Sequence, residues 1–137
     1  MYGRSFIRTA RLAEPLMPNG GCLITMSYHG AQEVVPHYNL MGPVKAALET
    51  TAKYLAVELG PRGIRVNALS PGPLDTCAAS GIDHFHELLD AAIRQAPLRR
   101  LVTIEEVGVL AAFLCTDAAS SITGNVAYID AGHHVVG

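Results

Sequence analysis

The sequence predicts an α/β fold in which a parallel sheet is covered on both faces by helices. Three observations carry that prediction. Apolar, strand-like runs at 22–26, 64–69 and 126–130 alternate with stretches of helical periodicity. The runs are nearly continuous in apolar character, as strands buried on both faces are. Each is bounded by turn chemistry, Pro18-Asn19-Gly20-Gly21 before the first and Ser70-Pro71-Gly72-Pro73 after the second. Three strands make about half of a doubly wound sheet. They would leave a long apolar edge unpaired, so the organisation is expected to be part of a larger sheet.

Taken in order, Phe6, Ile7, Ala10, Leu12, Ala13 and Leu16 are spaced for a helix over 5–16, which Pro18-Asn19-Gly20-Gly21 ends. Cys22 to Met26 reads as a buried strand leading into Ser27-Tyr28, then a polar stretch with Gly30 and Pro36. A long helix is expected from Tyr38 to Leu59, closed by Gly60-Pro61-Arg62-Gly63. Ile64 to Leu69 is the second strand, and 74–82 reads as a loop. Phe85, Leu88, Leu89, Ala92 and Ile93 give helical spacing over 83–95. Thr103 with Glu106 three residues on predicts a capping box for a helix through Cys115. Ser120 to Gly124 turns the chain into the last strand, Val126 to Asp130.

Composition narrows the function classes. Half of the 137 residues are hydrophobic and 16% are charged, which favours a packed core over disorder. With a net charge of −2 and only Arg99-Arg100 as a basic pair, nucleic acid and anionic membrane surfaces are not expected partners. No apolar run approaches the roughly 20 residues that span a bilayer, and Met1 to Arg8 lacks signal-peptide order, so a cytoplasmic protein is expected. Cys22, Cys77 and Cys115 form an odd set without a C-x-x-C pair, which argues against disulfides and thiolate metal sites. Cys22 and Cys115 read as small core residues. No metal site is expected from the histidines either. His84 and His86 would point about 200° apart on a helix, His133 and His134 are adjacent, and His29 and His37 lack an acidic cluster.

Several motifs are more specific. Ser27-Tyr28 followed by Pro36 to Glu49, with Tyr38 and Lys45 inside it, resembles the active-site strand and helix of bacterial enoyl-acyl-carrier-protein reductases. The resemblance continues through Gly63 to Ala68, Pro71-Gly72-Pro73, Thr76 to Ile82, Pro97 to Arg100, Val102 to Gly108, and Ile122-Thr123-Gly124 with Val126 and Asp130. It covers essentially the whole chain. Ordinary short-chain dehydrogenases place a lysine four residues after the catalytic tyrosine. Here the fourth residue after Tyr38 is Gly42, after Tyr28 Gln32 and after Tyr54 Glu58, whereas Lys45 stands seven beyond Tyr38. That spacing and the upstream Tyr28 are the enoyl reductases' pattern.

The resemblance implies the C-terminal part of a doubly wound Rossmann-like sheet, residues 1–137 being its active-site half without the N-terminal dinucleotide-binding half. No glycine-rich strand-to-helix turn with a downstream acid occurs in the sequence, and Gly20-Gly21 precedes a strand instead of following one. The implied reaction is hydride transfer from NADH to the β-carbon of a trans-2-enoyl thioester carried on acyl carrier protein. Tyr38 is the expected hydroxyl donor to the thioester oxygen, with Tyr28 assisting, and Lys45 is expected to hold the cofactor ribose. If both lie on one helix, Tyr38 and Lys45 share a face about 10 Å apart along the axis. Ser27, Lys45, Pro71, Gly72, Pro73, Leu74 and Thr76 are the implied cofactor residues, with Gly72 allowing close backbone approach. Tyr28, Met41, Ala78, Ala79, Ile82, Phe85 and Leu88 are implied to line the acyl pocket.

Homotetramers are implied as well, and Ala47, Leu48, Thr51, Ala52 and Leu55 offer a small-residue surface suited to close helix packing. Three departures stand out: Pro43 inside the expected helix, His37 where asparagine is common, and Pro71 where alanine is common. Two other readings stay open on the residues alone. One is a short-chain dehydrogenase acting on a ketone or alcohol; the other is an inactive chain that folds through oligomer contacts.

Overall fold

A computed structural model describes residues 2–74 and 85–136. Helix α1 (Tyr2–Ala13) runs into a single 3-10 turn at Glu14–Leu16, where Pro15 fits a helix start but the chain then leaves the helix. Strand β1 (Gly21–Met26) follows, then a 3-10 turn at His29–Ala31 and helix α2 (Met41–Leu59). Gly63, at φ 72°, ends the helical region and hands the chain to β2 (Ile64–Pro71). Helix α3 (Phe85–Gln95), helix α4 (Ile104–Leu114) and β3 (Val126–Ile129) complete the order.

The three strands form one sheet in the order β1-β2-β3, all parallel. β2 is central, and its alternation splits the interior in two. Ile64, Val66 and Ala68 point into a cluster with Phe6 and Ala10 of α1 and Leu48, Ala52, Ala56 and Leu59 of α2. Leu69 belongs to the opposite cluster, with Ala96, Val102, Val107, Leu114, Ala119 and Ala131. The α/β reading of the sequence is therefore met, with helices on both faces. Asn67, fully buried in β2, is satisfied on both sides: its amide donates to Ile122 O at 2.9 Å and its carbonyl accepts from Asn125 N–H at 3.1 Å. It locks the approach to β3.

Four details differ from the sequence expectations. α2 starts at Met41, not Tyr38, because His37 and Asn39 both take left-handed backbone angles (φ 63° and 50°) that no α-helix admits. Pro43 consequently sits in the first turn, where its missing N–H has no intrahelical partner to lose. Leu48 and Ala52 are not a free packing surface, since both are buried against β2. Cys115 is exposed at the C-cap of α4, and Cys22 is only half-buried. Among the described residues, no helix is long and apolar enough to cross a membrane, and no group of three or more His, Cys, Asp or Glu is arranged to hold a metal.

Candidate active site

The carboxyl ends of β1 and β2 lie side by side, and the polar residues gather there. Ser27 continues the ladder one residue past β1, its N–H donating to Leu69 O at 2.6 Å. The segment 27–40 then crosses in front of α2. Within it, Tyr28 and Tyr38 come together with ring centroids 4.9 Å apart and planes inclined at 59°. Gly30 makes that contact possible. A Cβ at this position would fall 2.6 Å from Cδ1 of Tyr38 and 3.3 Å from Cδ1 of Tyr28. Its carbonyl oxygen lies where a Cβ on Gly42 would be, at 2.9 Å, so the start of α2 presses directly on this turn.

Tyr38 therefore precedes the helix that carries Lys45, and the shared-face argument fails. The two residues approach the same strand end by different routes. Tyr38 is held by the turn: its N–H donates to Val35 O and its carbonyl accepts from Met41 N–H, both at 3.1 Å. Left-handed residues flank it on either side, a costly backbone arrangement that the surrounding contacts must impose. Lys45 reaches back from α2, its Nζ donating to Met26 O at 2.8 Å, one residue before Ser27. Burial disfavours its charge and lowers its pKa. Burial also raises the pKa of the Tyr28 hydroxyl, which keeps it a proton donor.

Beneath them lies a carboxylate that sequence reasoning passed over. Glu49 is 3% exposed, and its two oxygens accept from Ser27 Oγ at 2.5 Å and Gln32 Nε2 at 2.6 Å. It ties α2 to both ends of the turn that presents Tyr28. A signal was available: Glu49 falls among Leu48, Ala52, Ala56 and Leu59, the buried stripe of α2. An acid on an apolar stripe is costly without partners.

Pro71, Gly72 and Pro73 are buried at the end of β2, and Leu74 is half-buried. The space at Gly72 is taken by the neighbouring strand end, since a Cβ there would lie 3.1 Å from Cα and Cβ of Asp130. Close approach at Gly72 is thus to the end of β3. Asp130 is itself buried and closes its turn, accepting from the N–H groups of Gly132 and His134 at 3.0 and 2.8 Å.

A cavity of about 620 Å³ opens between this segment and α3. Tyr28 and Pro73 line it from the strand ends, Leu88 and Ala92 from α3. Met41 is not among its lining residues. Phe85 starts α3, but its side chain, like Thr76, Ala78, Ala79 and Ile82, lies outside what is described. His29 and His133 also line the cavity, with rings 5.5 Å apart, and burial lowers the pKa of His133. His29 lies 3.4 Å from the single carboxylate of Glu33.

Comparison with known proteins gives this geometry a family. Residues 2–134 match the family model described as enoyl-(acyl carrier protein) reductase. The chain is 52% identical over 133 residues to enoyl-[acyl-carrier-protein] reductase [NADH] 1 of Rhizobium meliloti, covering 97% of this chain and 49% of the relative. It is 50% identical over 130 residues to the corresponding NADH enzyme of Synechocystis, covering 95% and 50%. The crystal structure of the Aquifex aeolicus enoyl-[acyl-carrier-protein] reductase (NADH) superposes with a TM-score of 0.96 at 46% identity, over 100% of this chain and 54% of that one. The Anaplasma phagocytophilum reductase, solved in complex with NAD, gives 0.90 at 48% identity, over 98% and 49%. The chain thus spans about half the length of the curated relatives it matches. With its parallel sheet, paired tyrosines and strand-end lysine, the chain belongs to the enoyl-(acyl carrier protein) reductase family.

Proposed function

We propose that this chain carries the active-site portion of an NADH-dependent enoyl-acyl-carrier-protein reductase, reducing the double bond of a trans-2-enoyl thioester. The observation that carries the reading is the Tyr28–Tyr38 ring pair beside a lysine tethered to the end of β1. NADH, when bound, supplies the hydride. The residues present fit it: Lys45 offers a half-buried ammonium bonded to Met26 O, one residue before Ser27, at the sheet end that also carries the buried Pro71-Gly72-Pro73 turn. In open α/β sheets ligands bind outside the carboxyl ends of the strands. Lys45 would hold the ribose hydroxyls, with Ser27, Pro71, Gly72, Pro73, Leu74 and Thr76 around the nicotinamide end.

As the β-carbon is reduced, negative charge develops on the thioester oxygen. Tyr38 donates its hydroxyl proton to that oxygen, and Tyr28 supports it from 4.9 Å away, ring to ring. Both rings are held by a turn that Gly30 and Glu49 brace against α2, so donation would require little reorganisation. Tyr28 and Leu88 face the cavity in which the acyl chain would lie. Ala78, Ala79, Ile82 and Phe85 would complete its wall, and Met41, outside that lining, would meet the chain from the start of α2. Acyl carrier protein as substrate carrier belongs to the same proposal, resting on the relatives' names. A homotetrameric assembly and a cytoplasmic location belong to it through the family resemblance alone.

The test is loss of NADH absorbance with a crotonyl thioester, run on this chain and on Tyr38→Phe. Turnover that falls about a hundredfold or more in the variant supports the donor role. A folded chain without turnover overturns the reading that these 137 residues catalyse the reduction.

A further inference from the structure

Away from the strand ends, two cysteines are brought together by an arginine. Cys22 in β1 has Arg65 of β2 as its partner across the ladder. The Arg65 guanidinium extends to the end of α4, donating to Leu114 O at 2.6 Å and Thr116 O at 3.3 Å. Those carbonyls flank Cys115, so the guanidinium fixes the helix C-cap over the β1–β2 ladder. Cys22 and Cys115 thus border the same guanidinium, close enough for Cys115 to add to the upward push of burial on the Cys22 pKa. Cys115 is exposed, and a cleft of about 420 Å³ lined by Gly21, Arg65 and Cys115 gives reagents access.

We propose that Cys22 and Cys115 form an oxidation site, a dithiol that a small disulfide oxidant such as oxidised glutathione closes into an intramolecular disulfide. The Cys115 thiolate attacks one sulfur of the oxidant, forming a mixed disulfide and releasing one glutathione thiolate. The Cys22 thiolate then attacks the Cys115 sulfur, the Cys115–glutathione bond breaks, and a second glutathione leaves. The protein loses two electrons and two protons, and the oxidant gains them as two glutathione thiols. Burial raises the Cys22 pKa, and only in part does Arg65 offset it, so the second step accelerates as pH rises. The bond links β1 to the end of α4 around a long loop containing α2, β2 and α3. Such a closure restricts the unfolded chain and raises the thermal midpoint. Nothing in this depends on reductase activity.

The experiment uses the Cys77→Ser chain, folded, incubated with oxidised glutathione at several pH values and mapped by non-reducing peptide mass spectrometry. The expected product is a monomer lighter by two hydrogens, with Cys22 joined to Cys115, a higher thermal midpoint, and full reversal by dithiothreitol. A further Cys22→Ser substitution should stop the reaction at a glutathione adduct on Cys115. A stable adduct on Cys115 with Cys22 still reduced would overturn the proposal. So would linkage between chains, or equal Cys22–Cys115 linkage in urea, where the fold no longer holds the thiols together. The same mapping on the unsubstituted chain decides the matter if Cys77→Ser does not fold.

Discussion

The starts of α2 and α4 solve the same problem in opposite ways. α4 is stabilised locally. The Thr103 side chain accepts from Glu106 N–H at 3.2 Å, the Glu106 carboxylate accepts from Thr103 N–H at 2.9 Å, and Arg100 grips that carboxylate with both guanidinium nitrogens. α2 has none of this. Leu40 at its N-cap offers no side-chain acceptor, and no acid stands in its first turn. What fixes its start is distant in sequence: Gly30 against Gly42, Lys45 on Met26, and Ser27 and Gln32 on Glu49. One helix begins where its own residues dictate. The other begins where the candidate site requires, with the strained Tyr38 segment at its mouth.

If that contrast is sound, substitutions around α2 should disturb the tyrosine pair, and substitutions at α4 should not. The largest effect is expected for Gly30→Ala. Its new methyl group meets the Tyr38 ring at 2.6 Å with Tyr28 behind it, so one ring must move. Overpacking of this kind costs about 2 kcal/mol, read as a lower urea midpoint together with a changed near-ultraviolet tyrosine circular dichroism signal. An unchanged tyrosine signal would mean that the ring pair does not depend on the bare backbone at Gly30.

Next comes Glu49. Glu49→Ala removes the acceptor of both Ser27 Oγ and Gln32 Nε2, leaving the buried Ser27 hydroxyl unpaired at a cost of about 1–2 kcal/mol. Glu49→Gln can still accept from Gln32 while its amide donates to the Ser27 hydroxyl, which can also accept. Chemical denaturation should therefore rank Gln well above Ala. Equal losses would show that the charge, and not the hydrogen-bond pattern, holds the turn.

The same contrast explains what could be read from the sequence. The capping box at Thr103–Glu106, the end of α2 near Gly63, and the central strand were legible because each is written in adjacent residues. The start of α2 was misplaced because Tyr38, Asn39 and Leu40 continue an apparent helical pattern, and only the backbone shows that His37 and Asn39 turn left-handed. Tyr28, Tyr38 and Lys45 stood out by spacing and resemblance. Glu49 and Gly30 did not, because their roles rest on contacts with residues 8 to 22 positions away, which no local motif encodes. The Cys22–Cys115 encounter was hidden for the same reason, since it needs both the β1–β2 register and the reach of Arg65.

Thr103→Ala tests the other side of the comparison. It should cost about 1 kcal/mol of stability, as loss of an N-cap does, while the tyrosine circular dichroism of the folded chain stays as it was. A shift in that signal would show that the two helix starts are coupled through the sheet.

The smallest effect is in acid. The Glu106 carboxyl is lowered from 4.5 to about 2, first by the hydrogen bond from Arg100 and then by the Thr103 N–H. Its folded value lies below its unfolded one, so on acidification the unfolded chain takes up the proton first. The stability this group adds is complete above 4.5 and drains away as the pH falls from there toward 2. Glu106→Gln should flatten the decline of the thermal midpoint across that window and leave neutral-pH behaviour close to that of Thr103→Ala. The pair lies at the surface, so added salt should weaken the Arg100 contribution and narrow the difference between the two chains. Identical acid profiles for Glu106→Gln and the parent would mean that α4 owes its start to its apolar contacts with Leu69 and Ala131 rather than to its cap.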